Sequence, residues 1–262
     1  MRKLALSDEI LLKVDKAARY IGGEVNSVMK DKNAVDIRFA MCFPDVYEIG
    51  MSNLGMMILY NMFNQREDVW CERLFSPWPD LDKVMREKKI PLFALESQEP
   101  IRDFDFLGIT IGYEMCYTNI LQVLDLSGIP LKSADRGEDF PIVIGGGACA
   151  YNPEPLAPFF DMFYIGEGET VYDALFDAYK ANKKVGGSRR DFLLAAAKIP
   201  GIYVPSLYEV TYKEDGTIAS FAPTTDGVPE KVQKQLIIDM EKEYRAVEAP
   251  VVPHINATQD RV

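Results

Sequence analysis

Asp45, Tyr47 and Gly50 are the residues whose types and spacing first suggest chemistry. They form an Asp-x-Tyr-x-x-Gly run in FAMCFPDVYEIGMSNLGMMILY, residues 39–60. The run begins with buried-strand residues and changes at Pro44-Asp45. It resumes at helical spacing with Met51, Leu54, Ile58 and Met62, with Ser52 or Asn53 as N-cap. A carboxylate, a phenol and a glycine therefore sit in a strand-to-helix loop, where open parallel sheets bind ligands, although the spacing also suits an ordinary turn. A phenol, with a reference pKa near ~10, is a poor neutral metal ligand beside imidazole. Only one histidine, His254, exists, and it follows Pro253 in a proline-containing tail. A Ser-His-Asp triad would have only that histidine to use, and a zinc site of several histidines is impossible.

Glycines mark two further strand ends. The apolar run FDFLGITIG, residues 104–112, leads to Thr110, Gly112 and Tyr113. PIVIGGG, residues 141–147, ends in Gly145, Gly146 and Gly147, where a missing Cβ lets the backbone approach a bulky ligand or turn tightly. The Gly-Glu-Gly-Glu run at 166–169 is no phosphate loop, because Glu167 and Glu169 would repel phosphate; they suit a helix N-terminus instead. Neither G-x-G-x-x-G nor G-x-x-x-x-G-K-[ST] occurs. The cysteines Cys42, Cys71, Cys116 and Cys149 are scattered without ligand spacing and read as free thiols of a cytoplasmic protein.

The elements that must hold these residues alternate. Strands are expected at 34–43, 69–74, 91–96, 104–112, 141–147 and 161–165. Helices are expected at 5–20, 51–64, 80–88, 119–127, 170–180 and 191–198. The fold class is α/β, a Rossmann-like parallel sheet with flanking helices, plus a small C-terminal β-hairpin and linker region turning at Asp215-Gly216. Three regions are expected: an N-terminal helical extension (1–33), a Rossmann-like domain (34–182), and a helix, hairpin and linker (183–262). Residues 231–238 read as helix or strand. With 48% apolar residues the chain can build a real core. Its net charge of −11 disfavours direct nucleic-acid binding. The uncharged stretch 49–65 carries Ser, Asn and Gln and reads as a buried soluble helix, not a membrane span. Trp78, in the Pro-bounded SPWPD loop, reads as a core cap.

The Asp-x-Tyr-x-x-Gly loop resembles the D-x-H-x-x-G loop of corrinoid-binding domains, whose His is the lower cobalt ligand, with Tyr47 at the His position. The ordered set ARYIGGE, PDVYEIG, IGGG, GEGE, PGIYVPS and VVPHI resembles the N-terminal region of a family of cobalamin-binding-domain radical SAM proteins. The resemblance covers nearly the whole chain. It implies a possible cobalamin cofactor, with Asp45, Tyr47 and Gly50 near the lower corrin face. Thr110, Gly112, Tyr113, Gly145, Gly146 and Gly147 would lie around its nucleotide tail. The cobalt would lack a protein His. The resemblance further implies a radical SAM barrel as partner, carrying S-adenosylmethionine and a 4Fe-4S cluster on a C-x-x-x-C-x-x-C loop that this sequence lacks. The chain is thus expected to be an N-terminal part without radical chemistry of its own. A cofactor-free scaffold or substrate-recognition domain of the same protein, and an unrelated small-molecule- or nucleotide-binding α/β protein, are the alternatives.

Overall fold

The computed structural model describes residues 3–239, 247 and 249–253. Strands β1 (Ile37–Phe43), β2 (Val69–Phe75), β3 (Phe106–Thr110), β4 (Ile142–Gly146), β5 (Met162–Tyr164) and β6 (Ile202–Tyr203) form one sheet in the order β2-β1-β3-β4-β5-β6. All neighbours are parallel except β5 and β6. β7 (Tyr208–Tyr212) and β8 (Ile218–Pro223) form a separate antiparallel hairpin. The strands of the main sheet are mostly apolar because both its faces are covered, the charged exceptions being Arg38 of β1 and Glu72 and Arg73 of β2. Phe39 and Met41 of β1 enter one core with α4 (Leu54–Gln65), α7 (Tyr172–Lys184) and α8 (Arg189–Ala196). Ala40 and Cys42 enter the other, with α5 (Pro79–Lys88) and α6 (Tyr117–Leu126). This is the α/β architecture expected, with the chain leaving β1 and β3 toward opposite faces.

Phe39 organises the first core. Its ring packs edge-on to Phe63 at 5.0 Å and Phe176 at 5.9 Å and stacks on Phe106 at 5.8 Å. Such pairs contribute about 0.5–1.5 kcal/mol each beyond buried area. A Cβ at Gly108 would lie 2.3 Å from the same ring, so the central strand needs glycine there.

Several boundaries differ from the sequence expectations. The 5–20 helix is two single turns, α1 (Asp8–Leu11) and α2 (Ala18–Ile21), separated where Lys16 adopts φ +49°. The 51–64 helix begins earlier and is split: α3 (Tyr47–Met51) precedes α4, and the Asn53 side chain accepts from the Met56 amide at 2.9 Å as the N-cap of α4. The 91–96 segment is not a strand of the sheet. It forms a turn closed by a single Phe93–Pro100 bridge, with Gln98 at φ +64°, and its Leu95 amide donates to Arg73 O. Residues 231–238 are neither helix nor a full strand; Gln235 forms one parallel bridge to Gly166. Trp78 is 46% exposed, with the Arg19 guanidinium 5.4 Å from its ring. His254 lies outside the described residues, as does most of the 241–262 tail. Among the described residues no helix is long and apolar enough to cross a membrane.

Charge fixes the β2 edge. Arg73 is fully buried. Its Nε donates to Glu96 Oε1 at 2.6 Å, and its two terminal nitrogens donate to Glu24 at 2.9 and 2.6 Å. Its backbone amide donates to Glu96 Oε2 at 2.6 Å. Burial works to raise the Glu24 carboxyl, but hydrogen bonds and charge from Arg73 outweigh it and hold the group below its ordinary value. The ARYIGGE segment is thus an anchor: Arg19 grips Glu48 at 2.9 Å, Gly22 and Gly23 turn the chain at positive φ, and Glu24 reaches Arg73.

Arg73→Ala should cost about 3–5 kcal/mol in urea unfolding, because it leaves buried carboxylates uncompensated. For Glu24 a lowered folded pKa means stability that is present above the unfolded value and lost as pH falls through the folded one. Wild-type stability should therefore decline below about pH 4.3, and Glu24→Gln should flatten that part of the profile. Gly166 gives a second test. It sits at φ +136°, and a Cβ there would lie 2.3 Å from Gln235 O. Gly166→Ala should cost about 1–3 kcal/mol and speed hydrogen exchange at the Gln235 and Glu167 amides, which close this bridge.

Candidate functional site

Because β1 and β3 are neighbours whose connections run to opposite faces, a crevice opens at their carboxyl ends. The loops leaving these strands are stitched across it. The Tyr113 hydroxyl donates to Asp45 Oδ2 at 2.6 Å, and the Asn119 amide donates to Pro44 O at 2.9 Å. Asp45 Oδ1 accepts the Val46 amide at 2.7 Å, and Asp45 O accepts the Ser76 amide at 3.0 Å. The bond to Asp45, then burial, pushes the Tyr113 phenol up to about 12, so it remains a neutral hydroxyl.

Tyr47 and Gly50 belong to a different surface. Tyr47 opens α3 and is half-buried, its ring 5.3 Å from Phe75 and its hydroxyl donating to Glu24 Oε1 at 2.9 Å. Burial, then the Glu24 charge, raises its pKa. A Cβ on Gly50 would lie 2.2 Å from the Phe75 ring and 3.0 Å from Phe43 Cβ. Glycine at 50 thus lets α3 press against the end of β2. Within the Asp-x-Tyr-x-x-Gly run, only the carboxylate reaches the crevice between β1 and β3.

Beside that crevice, between the sheet and helices α4 and α7, lies a cavity of about 440 Å³. Its floor is Phe39, Met41, Gly108 and Ile144; α4 contributes Gly55, Met56 and Leu59, and Tyr164 and Tyr172 close the far side. Thr110, Gly112, Gly146 and Gly147 lie at the strand ends around it, with Asn53 opposite. The three consecutive glycines have three roles. A Cβ on Gly145 would meet Ile111 and Phe163 at 2.8 Å, so it serves packing on the opposite face. Gly146 lines the cavity, and a Cβ there meets nothing within 4 Å. Gly147 turns the chain at φ +104° with a Cβ position 2.9 Å from Ile111 O. Gly112 also lines the cavity with open space where a Cβ would stand.

Of the candidate residues at the strand ends, Thr110, Gly112, Gly146 and Gly147 line this cavity, whereas Asp45 and Tyr113 pair at the neighbouring crevice. Tyr47, Gly50 and Gly145 make the packing contacts described. Gly108, Gly55 and Leu59 also line the cavity, as do Asn53 and Gly166, which the sequence marks only as a helix cap and a turn. A glycine inside a strand pattern, as in FLGIT, was the available signal for Gly108. Glu167 accepts the Ile237 amide and so pins the 235–237 segment at the carboxyl end of β5. Glu169 lines the cavity rim.

The chemistry of the lining is selective. Among the described residues lining the cavity none is basic, and Glu169 is the one charged group. At the start of α4 the Asn53 side chain already takes the Met56 amide, and the start of α7 at Tyr172 is flanked by the Glu169 carboxylate. Polyphosphate therefore finds no cation here and a negative charge beside the α7 terminus. A bulky, mostly apolar group bordered by amides or hydroxyls fits better.

Comparison with known proteins adds the following. An uncharacterised protein of Methanocaldococcus jannaschii, MJ0966, is 26% identical over 131 residues, covering 50% of this chain and 24% of that protein. The match thus spans about a quarter of the relative's length. Two structures of the radical S-adenosylmethionine methyltransferase TsrM of Kitasatospora setae are also similar. One holds cobalamin and a [4Fe-4S] cluster; it aligns at TM-score 0.39 and 15% identity, covering 76% of this chain and 31% of TsrM. The other holds tryptophan substrate and a SAM analogue; it aligns at TM-score 0.37 and 16% identity, covering 75% and 36%. The family profile for the N-terminal region of radical SAM proteins matches residues 55–205, more than half of the sequence, and the chain belongs to that family.

Proposed function

We propose that this chain is the cobalamin-binding module of a radical SAM protein, presenting a corrinoid without a protein His beneath its cobalt to a SAM-cleaving barrel. The observation that carries this reading is the cavity of about 440 Å³ at the carboxyl ends of β3 and β4. Its strand-end glycines, Gly112 and Gly146, leave room where side chains would stand, and its lining holds no cation among the described residues. That cradle fits the flat apolar base and ribose of a cobalamin's nucleotide tail, with the tail's single phosphodiester left outside it toward solvent. Phe39, Tyr164 and Tyr172 supply aromatic surface to the base, and Thr110 and Asn53 supply polar groups at the rim.

When bound, the corrinoid supplies an organometallic cobalt centre suited to methyl transfer. The residues of this chain bind and orient it. Tyr47 supplies no ligand in this reading, since its neutral hydroxyl is committed to Glu24. The 235–237 segment, pinned by Gly166 and Glu167 beside the cavity, supports the rim on the β5 side. The partner expected is a barrel carrying the 4Fe-4S cluster and S-adenosylmethionine, and the location expected is cytoplasmic.

The test is a visible-absorption titration of the 262-residue chain with hydroxocobalamin, followed by gel filtration. Comigrating corrinoid with a base-off spectrum is the expected result. Gly146→Leu should abolish comigration at micromolar protein while leaving the circular dichroism and melting temperature unchanged, because its side chain enters space that no protein atom fills. A folded wild-type chain that retains no corrinoid would overturn the reading in favour of a cofactor-free scaffold. Undiminished binding by Gly146→Leu would remove the tail from this cavity.

A further inference from the structure

The cavity accounts for a ligand's tail and leaves open what meets the rest of it at the carboxyl edge of the sheet. Two hydroxyl-bearing residues compete for that role, and the structure separates them. Tyr47 leans on Phe75 and spends its hydroxyl on Glu24, on the β2 side. Tyr113 follows cavity-lining Gly112 and is 39% exposed. It bridges the β1 and β3 loops by donating to Asp45. Its single proton is used in that bond, so its oxygen faces outward as an acceptor beside the Asp45 carboxylate.

Resting on the corrinoid reading above, we propose that the Asp45–Tyr113 pair, and not Tyr47, is the positioning contact for the macrocycle. It accepts hydrogen bonds from the carboxamide N–H groups at the corrin rim. A corrinoid carries several such amides and no rim carboxylates, so an acceptor pair with one negative charge is complementary to it. Asp45 sets the direction of the Tyr113 hydroxyl, and the Asn119–Pro44 bond holds the loop that carries Asp45.

The experiment compares dissociation constants for hydroxocobalamin and for cobinamide, which keeps the amides but lacks the nucleotide tail. It uses the full chain and its Tyr113→Phe, Asp45→Asn, Tyr47→Phe and Gly146→Leu variants. Tyr113→Phe and Asp45→Asn should each weaken both corrinoids by the same factor, about tenfold for a lost hydrogen bond with a charged partner. Gly146→Leu should weaken cobalamin and leave cobinamide unchanged, and Tyr47→Phe should change neither. The equal loss on the two ligands is a readout that general loosening of the tail cavity does not produce. Unchanged affinity in Tyr113→Phe, or a loss confined to Tyr47→Phe, with wild type binding normally, would overturn the assignment. A wild-type chain that binds neither corrinoid would overturn the corrinoid reading itself and this proposal with it.

Discussion

A guanidinium buried inside the edge of a parallel sheet constrains much of this chain. Arg73 cannot shed its charge, and in a dry interior an unpaired charge is very costly. Two carboxylates from distant parts of the sequence, Glu24 and Glu96, must therefore converge on it. Glu24 brings the N-terminal segment over the end of β2, and its second link draws in the Tyr47 hydroxyl. Glu96 accepts the Tyr60 hydroxyl from α4 at 3.0 Å. One ion network thus ties the N-terminal segment, β2, the 91–100 turn and the two helices that follow β1. Arg38 repeats the device one layer away, with Glu72 at 2.6 Å and Ser97 at 3.0 Å. Buried pairs of this kind are weak evidence of net stability; what they define here is which segments dock on the end of β2.

That arrangement has a consequence for the crevice. With Tyr47 and Gly50 committed to Phe75 and Glu24, α3 is fixed against β2, and the loop before it must emerge at Asp45. The β1 and β3 loops then meet through the bond from Tyr113 to Asp45, and the cavity opens on the side where α4 and α7 face the sheet. The Arg73 and Arg38 networks lie along β2, a third network of Arg136, Asp161 and Arg189 lies at the start of β5, and the cavity lies over β1, β3 and β4.

Local patterns made most of the fold legible, because their physics is local. Continuous apolar runs marked both-face-buried strands, and Asn53 was readable as a cap from its position before a helical period. The glycine triplet was partly legible. Strand alternation puts Ile142, Ile144 and Gly146 on one face and Gly145 on the other, which agrees with their packing. The illegible parts depend on distant residues. The 91–96 segment has a strand's composition, yet Glu96 is recruited by Arg73, and the chain turns at Gln98. The direction of Tyr47 depends on Phe75, 28 residues later, and on Glu24, 23 residues earlier. Spacing within a loop cannot encode either partner.

Position in a motif and position in space therefore diverge at the residue where function was first sought. A histidine at 47 in this backbone would point toward the partners that hold the phenol, Phe75 and Glu24, and away from the crevice between β1 and β3. Replacing the aromatic at 47 alone would not bring an imidazole to the crevice. The backbone would also have to release α3 from β2, and Gly50 with no Cβ holds those two elements in close contact. The absence of imidazole at this position is thus coupled to the packing of α3, and through Glu24 to Arg73. In this scaffold the hydroxyl at the crevice comes from the neighbouring strand's loop, where Tyr113 stands, and the β1 loop contributes the Asp45 carboxylate that directs it.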